Sequence, residues 1–208
     1  VDIEGAYRSE HELIKRYREM ALHPEADGAI EDVVNEAIVS DLYDSPVEVE
    51  LSNLNASETI KKKIREEFRY LKEIMDFDKK SHEIFRNWYI DGRLYYLKVI
   101  DQKNPQEGIK DLRYIDPMKI KYVRQEKKST DRNLGNLRIP GNKGDEATPN
   151  PQFDEYYIYT MKPNYPTGMI AQAGKGSTKI AKDSITYCTS GLVDRNKNRV
   201  LSYLHKAI

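Results

Sequence analysis

FRNWYIDGRLYYLKVI, which runs from Phe85 to Ile100, changes its apolar periodicity halfway along. Before Gly92 the apolar residues recur at helical spacing, and after it apolar side chains occupy both faces of a potential strand. Glycine readily adopts the left-handed conformation that ends a helix. We therefore expect a helix that stops at Gly92 and, directly after it, an aromatic strand at the centre of a sheet.

The strand pattern continues in EGIKDLRYIDPMKIKYVR, which runs from Glu107 to Arg124. Two strands are predicted here, Ile109–Ile115 and Lys119–Gln125, because the turn-forming pair Asp116 and Pro117 separates them. Further segments with strand composition are Glu155–Met161, Met169–Ala171, Thr178–Ala181 and Ser184–Thr189.

The N-terminal part of the chain carries helical signals. Residues 9–22 are predicted to form a first helix, since Ser9 and Glu12 have the spacing of a capping box. Pro24 suits the first turn of a second helix. The apolar stripe of that helix runs from Ile30 to Ile38, and we expect the first helix to cover it.

Two more elements precede the opening stretch. Val47–Leu51 alternates apolar residues with glutamates, which predicts a half-buried strand. Asn55 and Glu58 are expected to open a third helix, whose apolar face extends to Met75. Asp78 is then expected to cap the fourth helix.

The order of these elements predicts an α+β fold, with N-terminal helices packed on a mainly antiparallel sheet. Asn198–Ile208 is predicted to begin a final, long helix. Residues 129–151 contain several glycines, prolines and asparagines but few large apolar side chains. Such a segment cannot bury enough surface to offset its ordering entropy, so we expect a mobile surface loop.

The charge of the chain is zero overall but unevenly distributed. Residues 1–58 contain 4 Lys/Arg and 15 Asp/Glu, a net charge of −11, and the remainder therefore carries +11. Solvated helix faces explain such a pattern. Head-to-tail complementarity between neighbouring copies, which a heterologous interface permits, explains it as well. A zero net charge argues against a general nucleic-acid coat.

The sequence shows no signature of catalysis or of a bound metal or cofactor, and we expect none of these. The single cysteine, Cys188, excludes an intrachain disulfide, and its strand context predicts a buried structural thiol. The glycine-rich run at Gly174 lacks the spacing of a phosphate-binding loop, because Met169 and Gly176 occupy required positions. His11 begins a zinc-helix motif that Lys15 interrupts.

Tyrosines are abundant, at fifteen in 208 residues. Their flat rings with polar tips suit both sheet packing and protein interfaces. The candidate interface or core-packing residues are Trp88, Tyr95, Tyr96, Tyr122, Arg124, Tyr157 and Tyr159.

Several short words of the sequence occur in a known order. They are RNWYID from Arg86, GIKDLR from Gly108, YVR from Tyr122, SGLVD from Ser190 and YLHKA from Tyr203. In this order and spacing the chain resembles the portal vertex protein of T-even-like, contractile-tailed bacteriophages. The resemblance covers roughly residues 9–125 and 154–208.

The resemblance implies a structural component of the portal ring at one capsid vertex, without enzymatic activity. It implies other copies of the chain as partners in a ring, the number twelve coming from the resemblance alone. It also implies contact with the major capsid protein, and contact with the packaging motor and with neck and tail proteins through regions outside this chain. DNA would pass through the ring without sequence-specific binding.

The resemblance further implies where this chain lies and where it works. Residues 1–208 would be a peripheral, wing-like part of a portal subunit, without the channel stem and the clip. The protein would be made in the bacterial cytoplasm, would assemble at the host inner membrane and would reside in the virion. No apolar run is long enough to span a bilayer.

Two other functions remain open on the residues alone. The basic strand region 110–128, with interleaved aromatics, would suit a stand-alone nucleic-acid-binding module. An enzyme whose site is too irregular for motif reading is the second, since acid–base pairs are recognised by geometry rather than by sequence.

Overall fold

The computed structural model of the chain describes residues 10–39, 46–126, 153–161, 177–195 and 199–208. The helices are α1 (Glu10–Met20), α2 (Pro24–Ala37), α3 (Glu58–Met75) and α4 (Phe77–Asp91). The strands are β1 (Arg93–Ile100), β2 (Ile109–Ile115), β3 (Ile120–Glu126), β4 (Phe153–Thr160), β5 (Ser177–Ala181) and β6 (Ile185–Thr189). This is the predicted α+β class.

The junction between α4 and β1 forms as the sequence predicts. Gly92 ends α4 in the left-handed conformation, with φ 72°, and its N–H donates to the Trp88 carbonyl at 2.8 Å. At the other end of α4, Asp78 does not cap the helix, because Asp76 is the left-handed residue that separates α3 from α4. Likewise Ser57, rather than Asn55, caps α3 through its side chain.

Two three-stranded antiparallel sheets follow the helices. The first has the order β2-β1-β6, so β1 is central as predicted, and the second has the order β3-β4-β5. Tyr95 lies opposite Ile115 on one side of β1 and opposite Tyr187 on the other. In the second sheet Tyr122 pairs with Tyr157.

Two apolar clusters form the core. The helical cluster joins α1, α2, α4 and the C-terminal segment; its members are Leu13, Tyr17, Ala21, Ile30, Val34, Ile90 and Leu204. The stripe of α2 packs mainly against α4, so α1 is not its main cover, contrary to the expectation. The sheet cluster joins the two sheets; its members are Tyr95, Ile115, Ile120, Tyr157 and Ile185. Each large apolar side chain buried in this way contributes roughly 1.5–3 kcal/mol.

The prediction of a strand at Val47–Leu51 is wrong. This segment forms no strand and pairs with none in the described part of the chain. Leu51 is buried, and the Lys72 ammonium of α3 donates to the Val47 carbonyl at 3.4 Å. The segment thus packs beside other elements and forms no hydrogen-bonded ladder with another strand.

The predicted long helix at the C-terminus is also absent from residues 199–208. A five-residue 3-10 helix, Tyr203–Ala207, takes its place. The two residues just before it are bonded to other segments of the chain. The Leu201 N–H donates to the Leu192 carbonyl, and the Ser202 hydroxyl donates to the Tyr89 carbonyl. These bonds fix an extended backbone where a helix would have to begin.

Cys188 corrects a third expectation, because its side chain is exposed. It lies on β6, which has β1 as its one neighbour within the described sheet. As an edge strand, β6 therefore leaves the thiol accessible. The predicted loop at 129–151, the predicted strand at Met169–Ala171 and Ser9 lie outside the described residues.

Substituting Gly92 with alanine is expected to lower the free energy of unfolding by roughly 3 kcal/mol. A Cβ there would lie 2.5 Å from the Leu201 carbonyl oxygen, and this clash adds to the cost of a left-handed alanine. Gly191→Ala is the matched control, because Gly191 has φ 78° but open space around it. Urea denaturation measures both, and equal losses would contradict the close approach at Gly92.

Candidate functional site

Two of the candidate interface or core-packing tyrosines are core residues. Tyr95 and Tyr157 are both buried, with ring centroids 6.0 Å apart in an edge-to-face contact between the two sheets. Tyr95 also stacks on Tyr187 at 4.7 Å. Burial raises the pKa of Tyr95 well above its ordinary value. These two side chains join the sheets and offer no surface to a partner.

Three more of the predicted residues are half-buried. Trp88 lies 5.4 Å from the ring of Tyr203 on the C-terminal 3-10 helix. Tyr96 contacts the edge of Tyr114 across β1 and β2, at 5.8 Å. Tyr159 packs against the sheet cluster. Each of them chiefly connects elements within the chain.

Tyr122 and Arg124 are exposed on β3, the edge strand of the second sheet. The Arg124 guanidinium lies 4.0 Å from the ring centroid of Phe153. Glu155 binds both Arg124, at 3.5 Å, and Lys182. We call these five residues the sheet-end patch. An exposed aromatic and arginine pair of this kind is typical of protein interfaces.

An arginine with two carboxylate partners holds the helices to the strands. The Arg18 guanidinium of α1 donates through Nε and Nη2 to both carboxylate oxygens of Asp91, at 2.9 and 2.7 Å. Nη2 also donates to Asp116, at 2.8 Å, in the turn between β2 and β3. Asp116 in turn accepts from the Met118 N–H at 2.9 Å. One side chain thus ties together α1, the end of α4 and the strand corner.

Arg93 forms a second buried link. It is 1% exposed, and it donates to Glu10 at the start of α1, to the Asp91 carbonyl and to the Val200 carbonyl. Burial lowers the pKa of Arg93. The guanidinium therefore depends on these acceptors, which come from three separate parts of the chain.

The carboxylates around Arg18 respond differently to their surroundings. Burial raises the pKa of Asp91, which is 2% exposed, although the Arg18 guanidinium opposes the shift. Burial also acts on Asp116, but hydrogen bonds from Arg18 and from the Met118 N–H leave the pKa of Asp116 below its ordinary value. The hydrogen bond to Asp91 raises the pKa of Arg18.

The sequence analysis did not find this network. The sequence patterns place Asp91 in a short family word and Asp116 in a turn-forming pair, and they do not single out Arg18. A signal was present at Arg93, since the strand alternation puts this cation on the same face as Tyr95 and Leu97. A charge on a buried face requires partners.

Three of the five described cations in the region considered for nucleic-acid binding form ion pairs. Lys110 lies 2.6 Å from Glu107, and Arg113 lies 2.9 Å from Asp111. Arg124 is paired with Glu155. Lys127 and Lys128 lie outside the described residues. Paired cations are poor counter-charges for phosphates, so the described geometry gives this alternative no support.

Among the described residues, no group of three or more His, Cys, Asp or Glu side chains is arranged to hold a metal ion. Within the same residues, no helix combines the length and the apolar character needed to cross a membrane.

Comparisons with known proteins give consistent results. The family described as "Bacteriophage T4-like portal protein (Gp20)" matches residues 10–208. The portal protein of Vibrio phage KVP40 is 35% identical over 201 residues, which cover 95% of this chain and 36% of that protein. The portal protein of Salmonella phage ViI is 33% identical over 124 residues, which cover 59% of this chain and 22% of that protein. The chain spans well under half the length of both relatives.

Replacing Arg18 with methionine is expected to lower the free energy of unfolding by about 3–5 kcal/mol, because Asp91 would remain buried without its cation. Adding Asp91→Asn should recover part of this loss. Arg113→Met, which breaks an exposed pair, should cost at most about 0.5 kcal/mol. Urea denaturation of Arg18→Met, Asp91→Asn, their double variant and Arg113→Met measures these changes in the free energy of unfolding. Strictly additive losses in the double variant would contradict a direct Arg18–Asp91 coupling.

The difference between the wild type and Arg18→Met should shrink as the pH falls from 7 to about 4. Without Arg18 the pKa of Asp91 rises further above its unfolded value of about 3.9. The folded variant then binds this proton more tightly than the unfolded chain, so its stability falls as the pH rises. Denaturation at several pH values tests this. In the Arg18→Met, Asp91→Asn double variant the trend should be much weaker, and an unchanged trend would exclude Asp91 as its source.

Proposed function

We propose that this chain serves as a structural part of a capsid portal ring. The premise is that the chain belongs to the T4-like portal protein family. In this role it supports DNA packaging and ejection and the head–tail connection through contacts with neighbouring subunits and with the capsid. The observation that carries the proposal is the match of the family over residues 10–208.

We assign the chain to the peripheral, wing-like part of a portal subunit. The longest helix in the described residues is α3, with 18 residues, which corresponds to about 27 Å. The described elements are otherwise short helices and two small sheets. Long channel-lining helices and a motor-facing clip would belong to other parts of the full-length subunit.

The partners follow from this role. We propose that other copies of the chain surround the DNA channel and that the major capsid protein contacts the outer part of the ring. The packaging motor and the neck and tail proteins would bind elsewhere on the subunit, and DNA would pass without sequence-specific contact. The subunit would be made in the host cytoplasm, assemble at the inner membrane and end in the virion. The ring number of twelve remains an implication of the family resemblance.

A structural role also accounts for Asp91, the carboxylate of the Arg18 network whose pKa is raised. A buried acid with a raised pKa beside a cavity is a reason to consider catalysis. Both oxygens of Asp91, however, accept hydrogen bonds from Arg18, and its carbonyl accepts one from Arg93. Such a clamped carboxylate holds elements together and is poorly placed to exchange a proton with a substrate. We therefore propose no catalytic step.

Electron microscopy of the full-length subunit tests the proposal. Class averages are expected to show closed rings of identical subunits, and they report the symmetry directly. Only monomers under assembly conditions would contradict the proposal. The 208-residue chain alone is not required to form rings. A salt titration of DNA binding is the companion measurement, and a steep dependence on salt would favour the nucleic-acid-binding alternative instead.

A further inference from the structure

The outer face of the second sheet carries two exposed lysines. Lys121 of β3 and Lys179 of β5 flank Ile158 of β4 in register. Because side chains alternate between the two faces of a sheet, these three lie on the face opposite Tyr157 and away from the sheet cluster. Ile158 is buried, as expected where long lysine side chains cover an apolar neighbour. We call Lys121, Tyr156, Ile158 and Lys179 the lysine face.

The charges of the lysine face are not neutralised by other described residues. The Lys179 ammonium lies 3.8 Å from the ring centroid of Tyr156, a contact that orients the cation but leaves its charge uncompensated. Neither Lys121 nor Lys179 forms an ion pair within the part of the chain that the structure describes. On the opposite face, by contrast, Glu155 pairs with Lys182. The lysine face is therefore suited to an anionic partner.

Helix α2 presents a surface of the opposite charge. Glu25, Asp32 and Glu36 form one stripe along it, because about two and about three helical turns separate the last two from the first. The stripe lies opposite Ile30 and Val34, which are buried, so it faces away from the core. All three acids are exposed, and none forms an ion pair with another described residue. We call these three residues the acidic stripe.

The spacing of the acidic stripe matches that of the lysine face. Glu25 and Asp32 are seven positions apart, which corresponds to about 10.5 Å along the helix axis. Lys121 and Lys179 are two strand spacings apart, or roughly 9.6 Å. A helix that crosses the three strands would therefore bring one carboxylate to each ammonium. Ala29, exposed between the two acids, has a side chain small enough for the helix to approach the sheet.

The geometry selects a second copy of the chain as the partner. The lysine face and the acidic stripe both face away from the core, so they cannot meet within one chain. Nucleic acid is less well matched, because two lysines neutralise only two phosphates and the affinity of such binding depends on the number neutralised. An acidic helix supplies two carboxylates at the required spacing, and α2 has no basic residue that would oppose the contact.

We propose that the lysine face of one subunit receives the acidic stripe of a second copy, with Glu25 and Asp32 each beside one of the two lysines. Because the two surfaces differ, the contact is heterologous and repeats around a ring. Binding also relieves the repulsion between Asp32 and Glu36, which are like charges one helical turn apart. The inference rests on the proposed ring function and specifies one of its subunit contacts.

Site-specific photo-cross-linking of the full-length subunit tests what occupies the lysine face. The probe p-benzoylphenylalanine replaces Tyr156, another aromatic side chain, in rings that electron microscopy has verified. Irradiation is expected to join two subunits, and mass spectrometry should locate the cross-link within α2 of the second copy. A cross-link only to DNA, to the major capsid protein or to another segment of the subunit would overturn the proposed contact and identify a different neighbour.

Charge exchange tests the same contact without a bulky probe, and it decides the question if the probe prevents assembly. Lys179→Glu and Asp32→Lys should each raise the subunit concentration for half-maximal ring assembly roughly tenfold, because like charges then meet at every interface. The double variant should return to within about twofold of the wild type, since the exchanged charges attract again. Lys103→Glu is the matched control, because it reverses an exposed lysine between β1 and β2, and it should have no effect.

The outcomes separate this inference from the proposed function. Rings that form equally well in Lys179→Glu and in Lys103→Glu overturn the contact and leave the ring proposal standing. The same holds if the double variant assembles no better than the single variants, because the charges would then act separately. Absence of rings in the wild-type subunit refutes both proposals.

Discussion

The buried ion pair between Arg18 and Asp91 is the constraint on which the described structure depends. Asp91 is the last residue of α4, so its position sets where Gly92 turns and where β1 begins. Burying such a carboxylate costs several kcal/mol, and only a well-aligned cation offsets this cost. Arg18 meets the requirement with two parallel hydrogen bonds. Because buried Asp91 without its cation would be strongly unfavourable, detaching α1 from α4 would destabilise the junction.

The C-terminal segment closes the same junction from the other side. Arg93 follows the turn directly and donates to the Val200 carbonyl, while Leu201 approaches so closely that residue 92 has no room for a side chain. Tyr17 of α1, fully buried, shares a hydrogen bond of 3.0 Å with His205. These contacts join residues that lie more than a hundred positions apart. The ordering entropy of the intervening chain must be offset before they form, which favours late docking of this segment during folding.

The sequence predicts the parts of this fold that local rules determine. The stop of α4 at Gly92, the central place of β1 and the covered stripe of α2 follow from periodicity and from one glycine. The secondary-structure predictions are wrong where contacts with other segments of the chain determine the backbone conformation. Val47–Leu51 has the alternation of a strand but packs beside α3, and the C-terminal residues lose their helix to bonds with Leu192 and Tyr89. The sequence did not predict the role of Arg18, because α1 contains several charged residues and only the tertiary packing shows which of them binds Asp91.

Composition could not separate core from surface among the seven candidate interface or core-packing residues. Tyr95 and Tyr157 are buried between the two sheets, whereas Tyr122, which pairs with Tyr157, is exposed. Which tyrosines become buried is decided by how the two sheets pack, a tertiary property.

The apolar face of α3 is incompletely buried within the described part of the chain. Its apolar stripe is regular, yet none of its residues is fully buried, and Ile60 remains 51% exposed. Apolar burial therefore supplies only part of the stability of the fold, and the directional links at Arg18 and Arg93 define the arrangement. A fold organised in this way keeps its shape while apolar and aromatic groups stay accessible. That combination suits a subunit that gains further burial from its neighbours, because rigid, pre-organised surfaces lose little entropy when they associate.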